Sequence, residues 1–217
     1  MQATLGKARG PGRPVNPALH EQRREAILAS ATLLFARHGY AETEVEWIAQ
    51  DLGLSKGTVY RYFSTKQELF LAAVDYGLNR LRKQIDHVEA ADPLAKLEKA
   101  IAAYLAFFRA NPAVVELLIQ ERAAFRDRNT QPAYFARRAK DMGSWPQLVE
   151  DLITAKRIRP IPVQRVLEVL GDLVFGTMFT DQVIGRKKPL RVQARDLIDV
   201  AFNGILTQQE RKRRRKN

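Results

Sequence analysis

The chain has 217 residues, 46% hydrophobic and 28% charged, no cysteine and a formal charge of +12. That length allows one ordinary domain, or a small domain followed by a larger one, and the missing cysteines exclude disulfides and thiolate metal sites. No apolar run approaches the roughly 20 residues that span a bilayer, and the opening segment MQATLGKARGPGRPV has no apolar core of the signal-peptide kind, so no membrane contact and a cytoplasmic location are expected.

The charge sits mostly at the ends. Lys7, Arg9 and Arg13, with the run RKRRRK at 211–216, account for nine positive charges and leave +3 for the body. Such ends read either as solvated tails or as nucleic-acid contacts. Charge alone does not choose between them.

A Gly/Pro-rich flexible basic arm over 1–16 leads into a helix expected at 17–38. Ile27, Ala31, Leu34 and Phe35 form its apolar stripe. His38-Gly39 stops it, with glycine expected in the left-handed cap position. Thr43 to Glu46 has capping-box spacing before a short helix with Val45, Ile48, Ala49 and Leu52 on one face. Gly53-Leu54 turns the chain, and Ser55 can cap a second short helix, KGTVYRYF, in which Val59 and Phe63 point inward together. A longer helix follows from Ser64-Thr65 to about Glu89. Asp92-Pro93 marks the next break. Helices are expected at 93–109, 112–125, 132–156 (interrupted near Gly143 to Pro146), 163–184 and 191–209, with Pro93, Pro112 and Pro132 at helix starts. No segment alternates with the period of a strand. The expected fold class is all-α.

Two short helices joined by a glycine turn are the skeleton of a helix-turn-helix, whose second helix fits the DNA major groove. With Val59 and Phe63 inward, Lys56, Thr58, Tyr60 and Arg61 lie on the opposite side, and Gly57 allows close backbone approach. Lys66 opens the next helix, where free N–H groups and a cation suit a phosphate.

The run EVEWIAQDLGLSKGTVYRYFSTKQELF resembles the DNA-binding domain of the TetR family of bacterial regulators. The matching pieces are Ile48-Ala49, the Gly53 turn, Ser55 to Thr58, Val59-Tyr60, Phe63, and Lys66 with Glu68-Leu69-Phe70. The upstream Phe35 to Tyr40 segment agrees as well. Beyond residue 75 the likeness is architectural only. It implies a helix-turn-helix domain over 17–75, a helical effector-binding and dimerisation domain over 76–209, and a basic tail over 210–217. It makes Lys56, Gly57, Thr58, Tyr60 and Arg61 recognition-helix contacts and places Tyr62 and Lys66 at the DNA backbone, packing being the alternative role for Tyr62. Arg61 either reads guanine or holds a phosphate. Arg9 and Arg13, flanked by Gly and Pro, suit an A·T-rich minor groove, or belong to a disordered leader.

One departure stands out. Glu44 and Glu46 lie where the family usually carries a small hydroxyl residue and often a base, and residues 21–75 hold six Lys or Arg against eight Asp or Glu. Affinity would then lean on the arm.

The resemblance implies a homodimer through the helices at 163–184 and 191–209, where Gly171 and Gly176 would let helices approach closely. It also implies a small-molecule effector in an apolar pocket, for which Phe107, Tyr134, Trp145 and Phe179 are candidates. The expected function is a repressor released by its ligand from a palindromic double-stranded operator; the competing reading is an architectural DNA-binding protein without a ligand. Neither an enzyme nor a cofactor or metal is expected. His20, His38 and His87 are scattered, and Gly53 to Thr58 lacks Walker spacing.

Overall fold

The computed structural model describes residues 16–125, 142–185 and 188–204, and all regular structure among them is helical. The arm with Arg9 and Arg13, Tyr134 and the basic tail lie outside the described residues.

Helix α1 spans Pro17–His38, as the stripe predicts. Its start is set by Asn16, whose side chain accepts from the Ala18 and Leu19 N–H groups and so satisfies donors that no helical carbonyl can reach. Gly39 ends it at φ 84° and ψ 158°. That conformation belongs to glycine, but on the extended side rather than in the left-handed well the sequence suggested.

Helices α2 (Val45–Asp51) and α3 (Lys56–Tyr62) form the expected short pair. Val45, Ile48, Ala49 and Val59 are buried, and Gly53 makes the turn at φ 63°. The expected capping box at Thr43 does not form. Glu44 holds the N-cap position of α2 without a side-chain cap bond. Thr43 is wholly buried instead, and its hydroxyl lies 2.7 Å from the Gly39 carbonyl and 3.2 Å from that of Leu34. The hydroxyl is thus drawn to carbonyls left open at the end of α1. A capping box does form one motif later. Thr65 accepts from the Glu68 N–H at 3.0 Å, and the Glu68 carboxylate accepts from the Ser64 N–H at 2.7 Å.

That box starts α4, Lys66–Asp86, which ends a turn short of the expected Glu89. The remaining elements are α5 (Pro93–Ala110), α6 (Pro112–Ala124), α7 (Trp145–Thr154), α8 (Val163–Ile184) and α9 (Leu190–Asn203). Three of these begin with proline within the first two positions, where the absent N–H costs nothing. The break expected near Gly143 falls just before α7.

Helix α4 runs through the expected boundary at 75/76. It packs on α1 at its first half and on α5 and α6 further along. Its approach to α6 is close: a Cβ added at Gly77 would lie 2.8 Å from a Val114 methyl. Helix α6 also touches α1, where the Gln120 amide donates to the Phe35 carbonyl at 3.0 Å. Around that bond Phe35, Tyr40, Phe70 and Phe125 pack ring against ring, with centroids 5.0–6.1 Å apart. One buried cluster therefore runs from Ile27 to Ala194.

At the other end a polar knot ties three helices. Arg109 of α5 donates to Gln193 of α9 at 2.9 Å and to Asp181 of α8 at 3.3 Å, and Gln193 donates to Asp181 in turn. Gln193 is buried, so its amide satisfies its partners inside the fold. Among the described residues no single helix is long and apolar enough to cross a membrane.

Candidate DNA interface and ligand cavity

Helix α3 is only seven residues long, too short to be stable alone. Two anchors hold it. Val59 is fully buried and Phe63, at its end, nearly so. The Arg24 guanidinium lies 5.4 Å from the Phe63 ring centre, fastening that anchor to α1.

On the outer side a ladder of hydroxyls organises the helix. Ser55 caps it by accepting from the Thr58 N–H at 3.2 Å, and the two hydroxyls are 2.9 Å apart. Arg61 donates to the Thr58 hydroxyl at 3.3 Å. The guanidinium is thus positioned on the surface before any partner arrives. Lys56, Gly57, Tyr60 and Arg61 are exposed together, and Thr58 is half-buried beneath them. A Cβ added at Gly57 would meet nothing nearer than the Ser55 hydroxyl at 4.0 Å. Nothing within the chain requires a glycine there.

The two residues expected at the DNA backbone are engaged within the protein. Tyr62 is half-buried and stacks on His20 of α1, centroids 4.5 Å apart. The Lys66 ammonium donates to the Ala41 carbonyl at 2.7 Å and lies 5.2 Å from the Tyr40 ring centre. Both still sit beside the α3 face, near the start of α1 and of α4. Trp47, which the motif analysis passed over, is exposed on α2 and edge-on to His38 at 5.2 Å.

Behind this head lies a cavity of about 250 Å³ bounded by α4, α5, Trp145 of α7 and α8. Its deep walls are buried apolar residues, including Leu78, Leu97, Ile101 and Val174, with Tyr104 among them. Of the four aromatics expected there, Trp145 lines it. Phe107 does not: it is 2% exposed and packs edge-on against Phe108 in the core. Phe179 points outward from α8, 41% exposed. Sequence reasoning missed Tyr104, Arg82 and Asp86. The last two are four residues apart on α4, a spacing that reads in sequence as an ordinary surface pair.

The architecture is a helical protein carrying a helix-turn-helix at its N-terminal end. Residues 27–73 match the family model described as bacterial regulatory proteins, tetR family. The chain is 30% identical over 142 residues to the transcriptional regulator EthR of Mycolicibacterium smegmatis, covering 64% of this chain and 63% of that protein. It is 31% identical over 104 residues to the regulator YerO of Bacillus subtilis, covering 46% of this chain and 36% of that one. These matches span between about a third and two thirds of the relatives' own lengths. In solved structures, a TetR transcription regulator from Haloarcula marismortui superposes with a TM-score of 0.71 at 21% identity, over 86% of this chain and all of that one. FadR from Bacillus subtilis, solved with stearoyl-CoA, gives 0.67 at 18%, over 83% of this chain and 98% of that one. At such identities the structural likeness speaks for the fold alone. Residues 27–73, the helix-turn-helix head, therefore carry the signature of the tetR family of bacterial regulatory proteins.

Proposed function

We propose that this chain is a sequence-specific transcriptional regulator, a repressor that leaves a palindromic operator when a small molecule fills the cavity behind its DNA-binding head. The observation that carries the reading is α3. Its buried side is fastened by Val59 and Phe63, while Lys56, Gly57, Tyr60 and Arg61 stand exposed with Arg61 already oriented. A helix so presented suits the major groove, which is about 12 Å wide. Tyr62 and Lys66 then serve the flanking phosphates, and Arg9 and Arg13 of the arm the adjacent minor groove.

Dimerisation is supported by α8. Val169, Leu173, Gly176 and Val183 recur along it and are exposed, Val183 to 61%. Gly176 has open space around it within the chain. Val200 of α9 is an exposed apolar residue as well. An apolar, glycine-bearing helix face of this kind fits a second copy related by a two-fold axis, and two heads so related match two half-sites.

The test is selection of bound sequences from random DNA, followed by footprinting. A symmetric site with half-sites about 34–36 Å apart supports the reading. Coating without sequence preference would return the chain to the architectural class, and unchanged affinity after deleting 1–14 would remove Arg9 and Arg13 from the interface.

A further inference from the structure

The charge pattern of the cavity narrows what can enter it. We propose that it takes a small uncharged molecule: an apolar body of about ten non-hydrogen atoms with a single neutral hydrogen-bonding head, such as an alcohol, ketone or amide. This specifies the ligand of the site named above and rests on that reading.

Size comes first. An apolar cavity of about 150 Å³ holds benzene, so about 250 Å³ accommodates roughly ten heavy atoms. Polarity comes next. The deep end is formed by buried Leu78, Leu97, Ile101 and Val174, apolar side chains against which an ion would lose its hydration without replacement. Among the described residues the charges on the lining are Arg82 and Asp86, which pair with each other: Nε to Oδ2 is 3.3 Å, with both side chains 45% exposed. The pair therefore marks the solvent-facing end. A carboxylate drawn to Arg82 would meet Asp86 in the same place, and an ammonium drawn to Asp86 would meet Arg82. A neutral head suffers neither repulsion. It can accept from the guanidinium, donate to the carboxylate, or do both, while its apolar body replaces water against the leucines. Tyr104 supplies a phenol on the same lining. Among the described residues Lys96 is a further cation near Trp145, its ammonium 5.9 Å from the ring centre, but it does not line the cavity.

Trp145 makes the test direct. The chain has two tryptophans, so Trp47→Phe leaves Trp145 as the single indole reporter in the full-length protein. Phenylpropanol, phenylpropanoate and phenylpropylamine share one skeleton and differ in the charge of the head at neutral pH. The alcohol should shift Trp145 emission saturably, with half-saturation about tenfold or more below either ion. Asp86→Asn should then raise the affinity of the acid relative to the alcohol, and Arg82→Gln that of the amine. The pair is half exposed, so neither substitution should alter folding appreciably; if a variant does misfold, the three-compound series on the Trp47→Phe protein decides alone. An acid or amine that binds as tightly as the alcohol overturns the proposal, as does a failure of all three to move Trp145 below millimolar concentration. Operator titrations keep the two readings apart. An alcohol that binds but leaves DNA affinity unchanged supports the ligand class and removes the ligand-released repressor. Release by the acid alone does the reverse.

Discussion

Replacing Gly57 by alanine separates the needs of the fold from those of DNA. Gly57 is the second residue of α3 and exposed, its backbone is helical, and an added Cβ finds only the Ser55 hydroxyl, at 4.0 Å. That distance is ordinary van der Waals contact, so the methyl fits without strain. Alanine should therefore stabilise the free protein by about 0.5–1 kcal/mol, through the conformational entropy that glycine loses on folding. For a chain of this size the melting temperature should rise by about 2–4 °C per kcal/mol. On the operator the sign reverses. If the backbone at Gly57 approaches a phosphate or base edge to hydrogen-bond distance, a methyl needs about 3.5–4.0 Å from its carbon to the nearest heavy atom, and α3 must back away. Losing a base contact costs roughly 1–3 kcal/mol, which is about five- to more than a hundredfold in affinity. The assay pairs calorimetry on the free protein with operator titration at fixed salt. A higher melting temperature with unchanged operator affinity would refute close approach at Gly57. A lower melting temperature would refute the open space seen there.

Four further outcomes are expected. Lys66→Ala should weaken binding to all sequences and lower the salt slope by about 0.9 for one phosphate contact; an unchanged slope, with only a lower melting temperature, would leave Lys66 as the tether to Ala41. Gly77→Ala should destabilise by about 1–3 kcal/mol, because its Cβ would overlap Val114, and Val114→Ala in the same chain should relieve most of that loss, both read from denaturant titrations. Leu173→Arg should convert a dimer into a monomer by analytical ultracentrifugation while leaving the helical content intact; a dimer that persists would move the interface off this face of α8. Finally, the Arg157 guanidinium, with the Ala95 N–H that Asp92 caps, holds the Asp92 carboxyl below the ordinary carboxylate range. A lowered carboxyl pKa contributes stability above the ordinary value and loses it as pH falls further, so the contribution should fade below about pH 4. Asp92→Asn should flatten that limb of the melting-temperature profile, and an unchanged limb would show that the pair contributes nothing in solution.

The parts of the molecule that were legible in sequence are those where local chemistry and tertiary structure agree. The stripe of α1, the Ser55 cap and the Val59–Phe63 pair were readable because each depends on residues within one or two turns. Thr43 misled because its hydroxyl answers to Gly39 and Leu34 in three dimensions rather than to Glu46 along the chain. The cavity was harder. Aromatic residues pack in cores as readily as they line pockets, so Phe107, Trp145 and Phe179 could not be told apart until their neighbours were known. The Arg82–Asp86 pair reads along the chain as an ordinary exposed helix pair. Only the placement of α5 and α8 around the same cavity as α4 turns it into a rim.

The shared core also bears on how the protein comes apart. A head that ended at residue 75 would be severable. Here α4 passes through that point unbroken, Gln120 grips the last turn of α1, and Phe125 sits against Phe70 and Tyr40. Cutting the chain after the helix-turn-helix would lay Phe70 and Val74, now fully buried, partly open to water. The head and the body should therefore melt in one cooperative transition, and amides in α1 and α6 should exchange through the same global opening. Separate transitions would mean that the head keeps a stability of its own. A single one means that anything which tightens the body, a second subunit or a molecule in the cavity, also raises the free energy of unfolding the head, by mass action and without touching DNA.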